Sequence, residues 1–210
     1  DKLYFEVAGR PLLEHALVAF TRVDAVRSLV LVTSPENLER SQALLEDLAA
    51  PFPTAAVQGG RRRQDSVAAG LAALGPSEVV AVHDGARPLV TPDLIERGIA
   101  AAWEQGTAIA AVPAVDTVKE VDAGGLVIRT LPREHLWLVQ TPQLFRRELL
   151  ARAHREVLDD VTDDAAMVER LGERVHVFMG AYENLKVTTP PDLAIFESLL
   201  SMRMAGDVLG

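Results

Sequence analysis

The stretch Val79-Val80-Ala81-Val82-His83-Asp84-Gly85-Ala86-Arg87-Pro88 runs from apolar residues into an imidazole, a carboxylate and a guanidinium. The apolar part suits a central strand covered on both faces. In open α/β sheets the loops just past such strands bind ligands. An acid there can hold Mg²⁺, which takes a carboxylate together with phosphate oxygens, or a ribose hydroxyl. It can equally close a turn with Arg87. His83 reads as a hydrogen-bonded core group rather than a base. A second cluster, Gly59-Gly60-Arg61-Arg62-Arg63-Gln64-Asp65-Ser66, opens on two glycines and leads into a helix that Asp65-Ser66 can cap. Backbone amides at such a helix start favour a phosphate or a base carbonyl. The alternative is a solvated, arginine-rich loop.

Two further groups stand at expected loop or strand-end positions, where function concentrates. One comprises Asp116, Thr117, Lys119, Arg133 and Gln140-Thr141-Pro142-Gln143; the other is Thr162-Asp163-Asp164 with Asn184-Leu185-Lys186-Val187-Thr188. Lys186 sits between apolar neighbours in a short expected strand. It faces either inward against an anion or outward into water.

Positioning these groups calls for alternating strands and helices. The patterns predict a helix over 11–20, a strand over 26–32, and a helix capped by Ser34-Pro35-Glu36 that runs to about residue 48. A short strand at 54–57, a helix at 64–74, and a strand at 79–83 follow. Next come a helix from Thr91-Pro92 to about residue 105 and a strand at 108–112. This order predicts an open, mostly parallel α/β sheet with ligands at the carboxyl ends of its strands. Segments 116–121 and 126–131 flank Asp122-Ala123-Gly124-Gly125, predicting an inserted β-hairpin arm over about 114–134. A hairpin with little core of its own must pack on something, and a second subunit is the expected surface. Helices at 146–158 and 163–171, a strand at 174–179 and a helix from Thr189-Pro190-Pro191 complete one domain over 1–210.

The 210 residues, 49% of them hydrophobic, are ample for one core. A net charge of −9 argues against a general nucleic-acid binder, although local arginines can reverse the sign inside a cleft. The absence of cysteine excludes disulfides and thiolate metal sites, and the five histidines include no pair at zinc-ligand spacing. No apolar run approaches the ~18 residues of a membrane span and no signal-peptide pattern is present. A soluble, cytoplasmic protein is expected, with neither membrane nor nucleic acid as partner. No strand is followed by G-x-G-x-x-G, which argues against a plain NAD-binding Rossmann protein.

The series Lys2, GGRRRQDSV, HDGARP, VPAVDTVK, LPREHLW, TPQLF, VTDD and ENLKVT resembles the 2-C-methyl-D-erythritol 4-phosphate cytidylyltransferases, in order and over nearly the whole chain. The resemblance implies a Rossmann-like nucleotidyltransferase fold with a β-arm through which two copies form a homodimer. It implies transfer of a cytidylyl group from CTP to methylerythritol phosphate, with Mg²⁺ and release of pyrophosphate, in non-mevalonate isoprenoid biosynthesis. Lys2, Arg133 and Lys186 are then the catalytic cations, Lys2 contacting the triphosphate and stabilising the pentavalent transition state. Gly60, Arg61, Arg63 and Ser66 match the loop that reads the cytosine edge. Asp84, Gly85 and Arg87 match the strand-end motif, with Asp84 near the ribose, the metal and the acceptor. Thr117, Arg133, Thr141, Thr162 and Lys186 match positions that hold the acceptor. Arg133 and Lys186 place its phosphate for attack, Arg133 serving the partner's site.

The family opens with a strand and a Pro-Ala-Ala-Gly-x-Gly-x-Arg loop that wraps the triphosphate. Neither stands in the sequence from Asp1 onward, so a truncated or preceding segment is expected. Gly85 and Arg61 replace commoner alanine and acidic residues. A ribitol-5-phosphate cytidylyltransferase is the nearest competing reading, and a catalytically silent binding homologue is another. Lys2, Asp84, Arg133 and Lys186 argue against the silent homologue, since a scaffold has no reason to hold four charges around one cleft.

Overall fold

The structure is a computed structural model and describes residues 2–208. Its elements run β1 (Glu6–Val7), β2 (Arg10–Pro11), α1 (Leu12–Thr21), β3 (Leu29–Thr33), α2 (Leu38–Leu48), β4 (Thr54–Gln58), α3 (Arg63–Ala73) and β5 (Val79–Val82). Then follow α4 (Pro92–Gln105), β6 (Thr107–Pro113), β7 (Lys119–Val121), β8 (Val127–Thr130), β9 (Trp137–Arg146), α5 (Arg147–Glu156), α6 (Asp164–Arg170), β10 (Val177–Met179) and α7 (Pro190–Val208). The expected α/β alternation is present. Thr91 caps α4 as its sequence suggests, its hydroxyl accepting from the Leu94 amide at 3.2 Å. Ser34 does not cap in that way: its side chain accepts no backbone amide, and Pro35 instead opens a single 3₁₀ turn before α2.

One sheet has the order β10-β6-β9-β5, and β3 pairs with β4 in a separate parallel ribbon. Strands β5, β6 and β10 share one direction, while β9 runs against them between β5 and β6. The architecture is therefore a Rossmann-like α/β sheet with a single reversed strand. β9 was not expected from sequence, because Pro142 interrupts its run and a proline argues against a central strand. The structure accommodates it where the β6–β9 register shifts, between Ile109 and Ala111, and the Thr141–Pro142 bond is cis.

The core follows the helix faces. Phe145 of β9 packs with Leu150 of α5 and with Met167 and Val168 of α6, all close to fully buried. Each such side chain contributes about 1.5–3 kcal/mol. Leu94 and Ile95 of α4 pack on Ala16 and Ala19 of α1. Between β3 and β5, each with one edge unpaired among the described residues, lies a slot of about 850 Å³. Leu29, Leu31, Val79, Ala81 and Val67 line it, and Arg63, Ser66, Asp84 and Gly85 form its polar end.

The hairpin arm forms where its turn chemistry places it. The Asp122 carboxylate accepts from the Gly124 and Leu126 amides, each at 2.9 Å, and Gly125 takes φ 81°, a region open to glycine. One expectation is overturned. Residues 184–188 form no strand; they cross the end of the sheet as irregular chain, tied by the Val187 amide to the Ala86 carbonyl at 2.8 Å. Isolated hydrogen bonds from backbone and side chains, rather than a ladder, hold this segment.

Candidate active site

β5, β6 and β10 all end at one rim of their sheet, and β9 begins there because it runs the other way, while Arg63 and Ser66 of the loop and helix that follow β4 line the same cleft as Asp84. At the end of β5 the hydrogen bonds fix one arrangement. The Asp84 amide donates to Thr141 Oγ1 at 3.0 Å, and Thr141 Oγ1 lies 3.1 Å from His83 Nδ1. His83 Nε2 is 3.1 Å from the Arg87 carbonyl. A carbonyl only accepts, so Nε2 carries the proton, Nδ1 accepts, and the Thr141 hydroxyl donates to it. Burial pushes the His83 imidazole down to about 4, so it is neutral near pH 7 and supplies a brace, not a proton.

This brace aims the Asp84 carboxylate into a ring of cations. Lys186 Nζ lies 2.9 Å from Asp84 Oδ2, and Arg87 Nε lies 3.8 Å from it. Burial alone would raise the Asp84 carboxyl. The Lys186 hydrogen bond and the charges of Lys186, Arg63 and Arg87 outweigh that and hold it below its ordinary range. Arg87 is lowered by burial, opposed by Asp84, and donates through Nη1 to the Asn184 carbonyl at 2.8 Å. Asn184, fully buried, donates to the Thr141 carbonyl at 2.8 Å, and Gln140 Nε2 donates to the Ala181 carbonyl at 2.8 Å. These two amides anchor the segment that carries Lys186. Lys2 reaches the same segment, its Nζ donating to the Thr188 carbonyl at 3.2 Å. Gly85 permits the close packing: a Cβ there would stand 2.7 Å from Leu13 Cδ1.

The arginine loop flanks this ring. Its first glycine follows β4, the Gly59 amide donating to the Thr33 carbonyl at 2.8 Å. The Gly60 amide donates to Ser66 Oγ at 3.1 Å, folding the loop onto the start of α3. A Cβ on Gly60 would fall 2.3 Å from Asp65 Cβ, so only glycine fits. Asp65 caps α3 as expected, its Oδ2 accepting from the Arg62 amide at 3.2 Å. The three arginines have different fates. Arg62 pairs with Asp65 and Asp160 and donates to the Leu158 carbonyl, a structural tie. Arg63 pairs with Asp164 at 2.6 Å, and Arg61 is exposed with no ion pair among the described residues.

The fold thus gathers Lys2, Arg63, Asp84, Gly85, Arg87 and Lys186 at one strand end, with Gly60, Arg61 and Ser66 on the adjoining loop. Thr141 lies beneath the cleft, with its hydroxyl engaged by His83 and Asp84. Thr162 is exposed just before α6. Thr117 and Arg133 stay on the arm, where Arg133 Nη1 donates to the Val115 carbonyl at 2.6 Å. Sequence reasoning placed Gln140, Asn184 and Asp164 within its clusters but assigned none of them a role; the structure makes the first two supporting amides and buries the third. Each carried a weak signal, a polar residue beside apolar ones that proved to be core. Among the described residues no three His, Cys, Asp or Glu side chains cluster as a metal site. Asp84 offers a single carboxylate, a donor set that suits Mg²⁺ only when phosphate oxygens complete it.

The family model for 2-C-methyl-D-erythritol 4-phosphate cytidylyltransferase matches residues 1–202. The chain belongs to this family. A curated relative of that description from Dehalococcoides mccartyi is 46% identical over 200 residues, 95% of this chain and 88% of the relative. Another, from Pelotomaculum thermopropionicum, is 47% identical over 208 residues, 96% of this chain and 87% of the relative. Among solved structures, the 4-diphosphocytidyl-2C-methyl-D-erythritol synthase of Anaerococcus prevotii superposes with a TM-score of 0.88 at 32% identity, covering 96% of this chain and 90% of that one. The cytidylyltransferase of Thermus thermophilus gives 0.78 at 35% identity, covering 94% and 92%. The Rossmann-like fold and the nucleotidyltransferase class follow from these likenesses. Among the described residues, no helix is long and apolar enough to cross a membrane.

Proposed function

We propose that the protein transfers a cytidylyl group from CTP to 2-C-methyl-D-erythritol 4-phosphate. The observation that carries this reading is the Asp84 carboxylate inside a ring formed by Lys186, Arg87 and Arg63, with Lys2 bound to the same segment as Lys186. An acceptor phosphate oxygen forms a new bond to the α-phosphorus of CTP. The bond from that phosphorus to the bridging oxygen breaks, and its electron pair leaves with pyrophosphate. The nucleophile is already an anion, so no general base is needed, in keeping with a neutral, braced His83. The chain's task is to bring two polyanions together and neutralise the charge that builds up in the transition state.

In this scheme Lys186 holds the acceptor phosphate and Lys2 the triphosphate. Gly60, Arg61, Arg63 and Ser66 accept the cytosine edge, where the amides at the start of α3 suit its carbonyl. Asp84 would hold Mg²⁺ together with phosphate oxygens, and the ion would offset triphosphate charge when bound. Thr141 acts by supporting Asp84, and Thr162 borders the acceptor side.

The arm presents Val121, Leu126, Val127 and Ile128 at 51–73% exposure, apolar surface on a hairpin that a second copy would cover. This supports a homodimer in which Thr117 and Arg133 complete the partner's acceptor site, since in their own chain they stay on the arm. Pyrophosphate release by the full-length protein with CTP and Mg²⁺ tests the activity, with methylerythritol phosphate and ribitol 5-phosphate supplied in parallel. Release with the first acceptor alone is expected. Release with ribitol 5-phosphate alone overturns the acceptor assignment, and silence with both overturns the reaction.

A further inference from the structure

Among the described residues, Asp164 is the one charged side chain that is fully buried, at 0% exposure. It opens α6. Its Oδ2 lies 2.6 Å from Arg63 Nη1 with no well-aligned hydrogen bond, and its Oδ1 lies 3.2 Å from His154 Nε2. A carboxylate withdrawn this far from water persists only beside a compensating charge, so the pair draws the Arg63 guanidinium to one place. Arg63 itself remains 37% exposed, lines the cleft with Ser66 and Asp84, and its charge is felt at Asp84. One end of the guanidinium is thus tethered inside the protein while the side chain stays open to the cleft.

The tether is itself rigid. Asp163 Oδ1 caps α6 by accepting from the Ala166 amide at 2.9 Å, and Asp163 Oδ2 accepts from Gln143 Nε2 at 2.7 Å. Gln143 Oε1 accepts from the Ala165 amide at 3.3 Å. Gln143 is almost fully buried on β9, two residues beyond the Thr141 that supports Asp84. The start of α6, the strand beneath the cleft and the arginine loop are therefore locked into one frame.

We propose that Asp164 is a positioning residue that fixes Arg63 on the nucleobase side of the cleft and thereby sets the affinity for CTP. The proposal rests on the cytidylyltransferase reading above. A long arginine loses rotamer freedom when it engages a ligand, and an arginine already held in place loses less. The ion pair supplies that preorganisation for the nucleotide and leaves the acceptor side untouched.

The test compares Asp164→Asn, Arg63→Gln, their double variant and His154→Gln. Each is assayed by calorimetry with CTP and Mg²⁺ and by steady-state kinetics in both substrates. Asp164→Asn should weaken CTP binding and raise its KM about tenfold, with the acceptor KM within about twofold, because only the tether is lost. The double variant should bind CTP no worse than Arg63→Gln, since the two residues act as one unit. His154→Gln removes the other neighbour of Asp164 and should lower Tm without changing CTP affinity. An Asp164→Asn variant that loses only Tm overturns the proposal, as do single effects that multiply. Should Asp164→Asn not fold, Asp164→Glu keeps the charge but displaces it by one methylene, and unchanged CTP affinity there overturns the proposal equally. A wild-type protein that binds no CTP overturns the functional reading and this inference together. One that binds CTP, with an Asp164→Asn variant that binds it equally well, overturns the positioning role alone.

Discussion

Replacing Lys186 by Met separates a catalytic lysine from a merely structural one, because the geometry predicts opposite sizes for the two effects. Lys186 Nζ is 2.9 Å from Asp84 Oδ2, but its side chain is 47% exposed. An ion pair with one half-exposed member contributes at most about 1 kcal/mol to stability. Asp84 also keeps Arg87 at 3.8 Å. For a chain of this size the expected fall in Tm is therefore only about 2–4 °C. A charge-assisted hydrogen bond to a phosphate, by contrast, contributes about 1.5–3 kcal/mol, which is roughly ten- to a hundredfold in kcat/KM. Initial rates of pyrophosphate release against acceptor concentration, at saturating CTP, give the second number, and thermal melts give the first. A second signature follows from Asp84. The Lys186 hydrogen bond helps hold its carboxyl below the ordinary range, so the variant should lose activity at a higher pH as the solution is acidified. A variant whose Tm drops sharply while kcat/KM stays within about twofold would refute the assignment and leave Lys186 as a partner for Asp84 only.

Lys2→Ala should lower turnover more than CTP affinity, because its contact strengthens as charge moves to the leaving phosphate; a change in CTP affinity alone would remove Lys2 from the transition state. Gly60→Ala brings a Cβ to 2.3 Å from Asp65 Cβ, so the loop must shift, and the KM for CTP should rise several-fold with the acceptor KM unchanged. His83, neutral in the fold and held at about 4 against about 6.5 when unfolded, binds its proton more readily in the unfolded chain. Stability should therefore fall as pH drops through that window, by about 2 kcal/mol between pH 7 and pH 5; a His83→Asn variant should lack this component in denaturant titrations. If Arg133 completes the partner's site, subunits of Arg133→Ala and Lys186→Met that exchange freely should regain up to about a quarter of wild-type activity, because each mixed dimer then holds one intact site. No recovery, with exchange demonstrated by mass, would place Arg133 in its own subunit's chemistry.

Much of the molecule was legible from local pattern. The apolar run ending at His83-Asp84, the helix start at Thr91-Pro92, the Asp122-to-Gly125 hairpin and the glycine pair before α3 each encode a local conformation. Short-range sterics and hydrogen bonds decide such features, so sequence spacing alone carries them. The same holds for the chemistry expected of Lys2, Arg63, Asp84, Arg87 and Lys186, whose charges and strand-end positions were visible before their distances.

What the sequence did not decide were long-range pairings. Strand β9 contains a proline and takes its direction from neighbours tens of residues away, so its local signal pointed against a strand. Residues 184–188 read as a strand from their apolar alternation. They became irregular chain because isolated partners satisfy the backbone there in place of a neighbouring strand: the Ala86 carbonyl accepts from the Val187 amide, Arg87 and Lys2 donate to the Asn184 and Thr188 carbonyls, and Asp192 accepts from the Thr188 amide. Asp164 looked like one acid among several in Thr162-Asp163-Asp164. Only the packing of α6 against α3 and α5 buries it, and burial is what turns an ordinary carboxylate into a tether for Arg63. Residue type fixes which charges are available, whereas the dielectric around them and their mutual distances exist only once the chain has closed on itself.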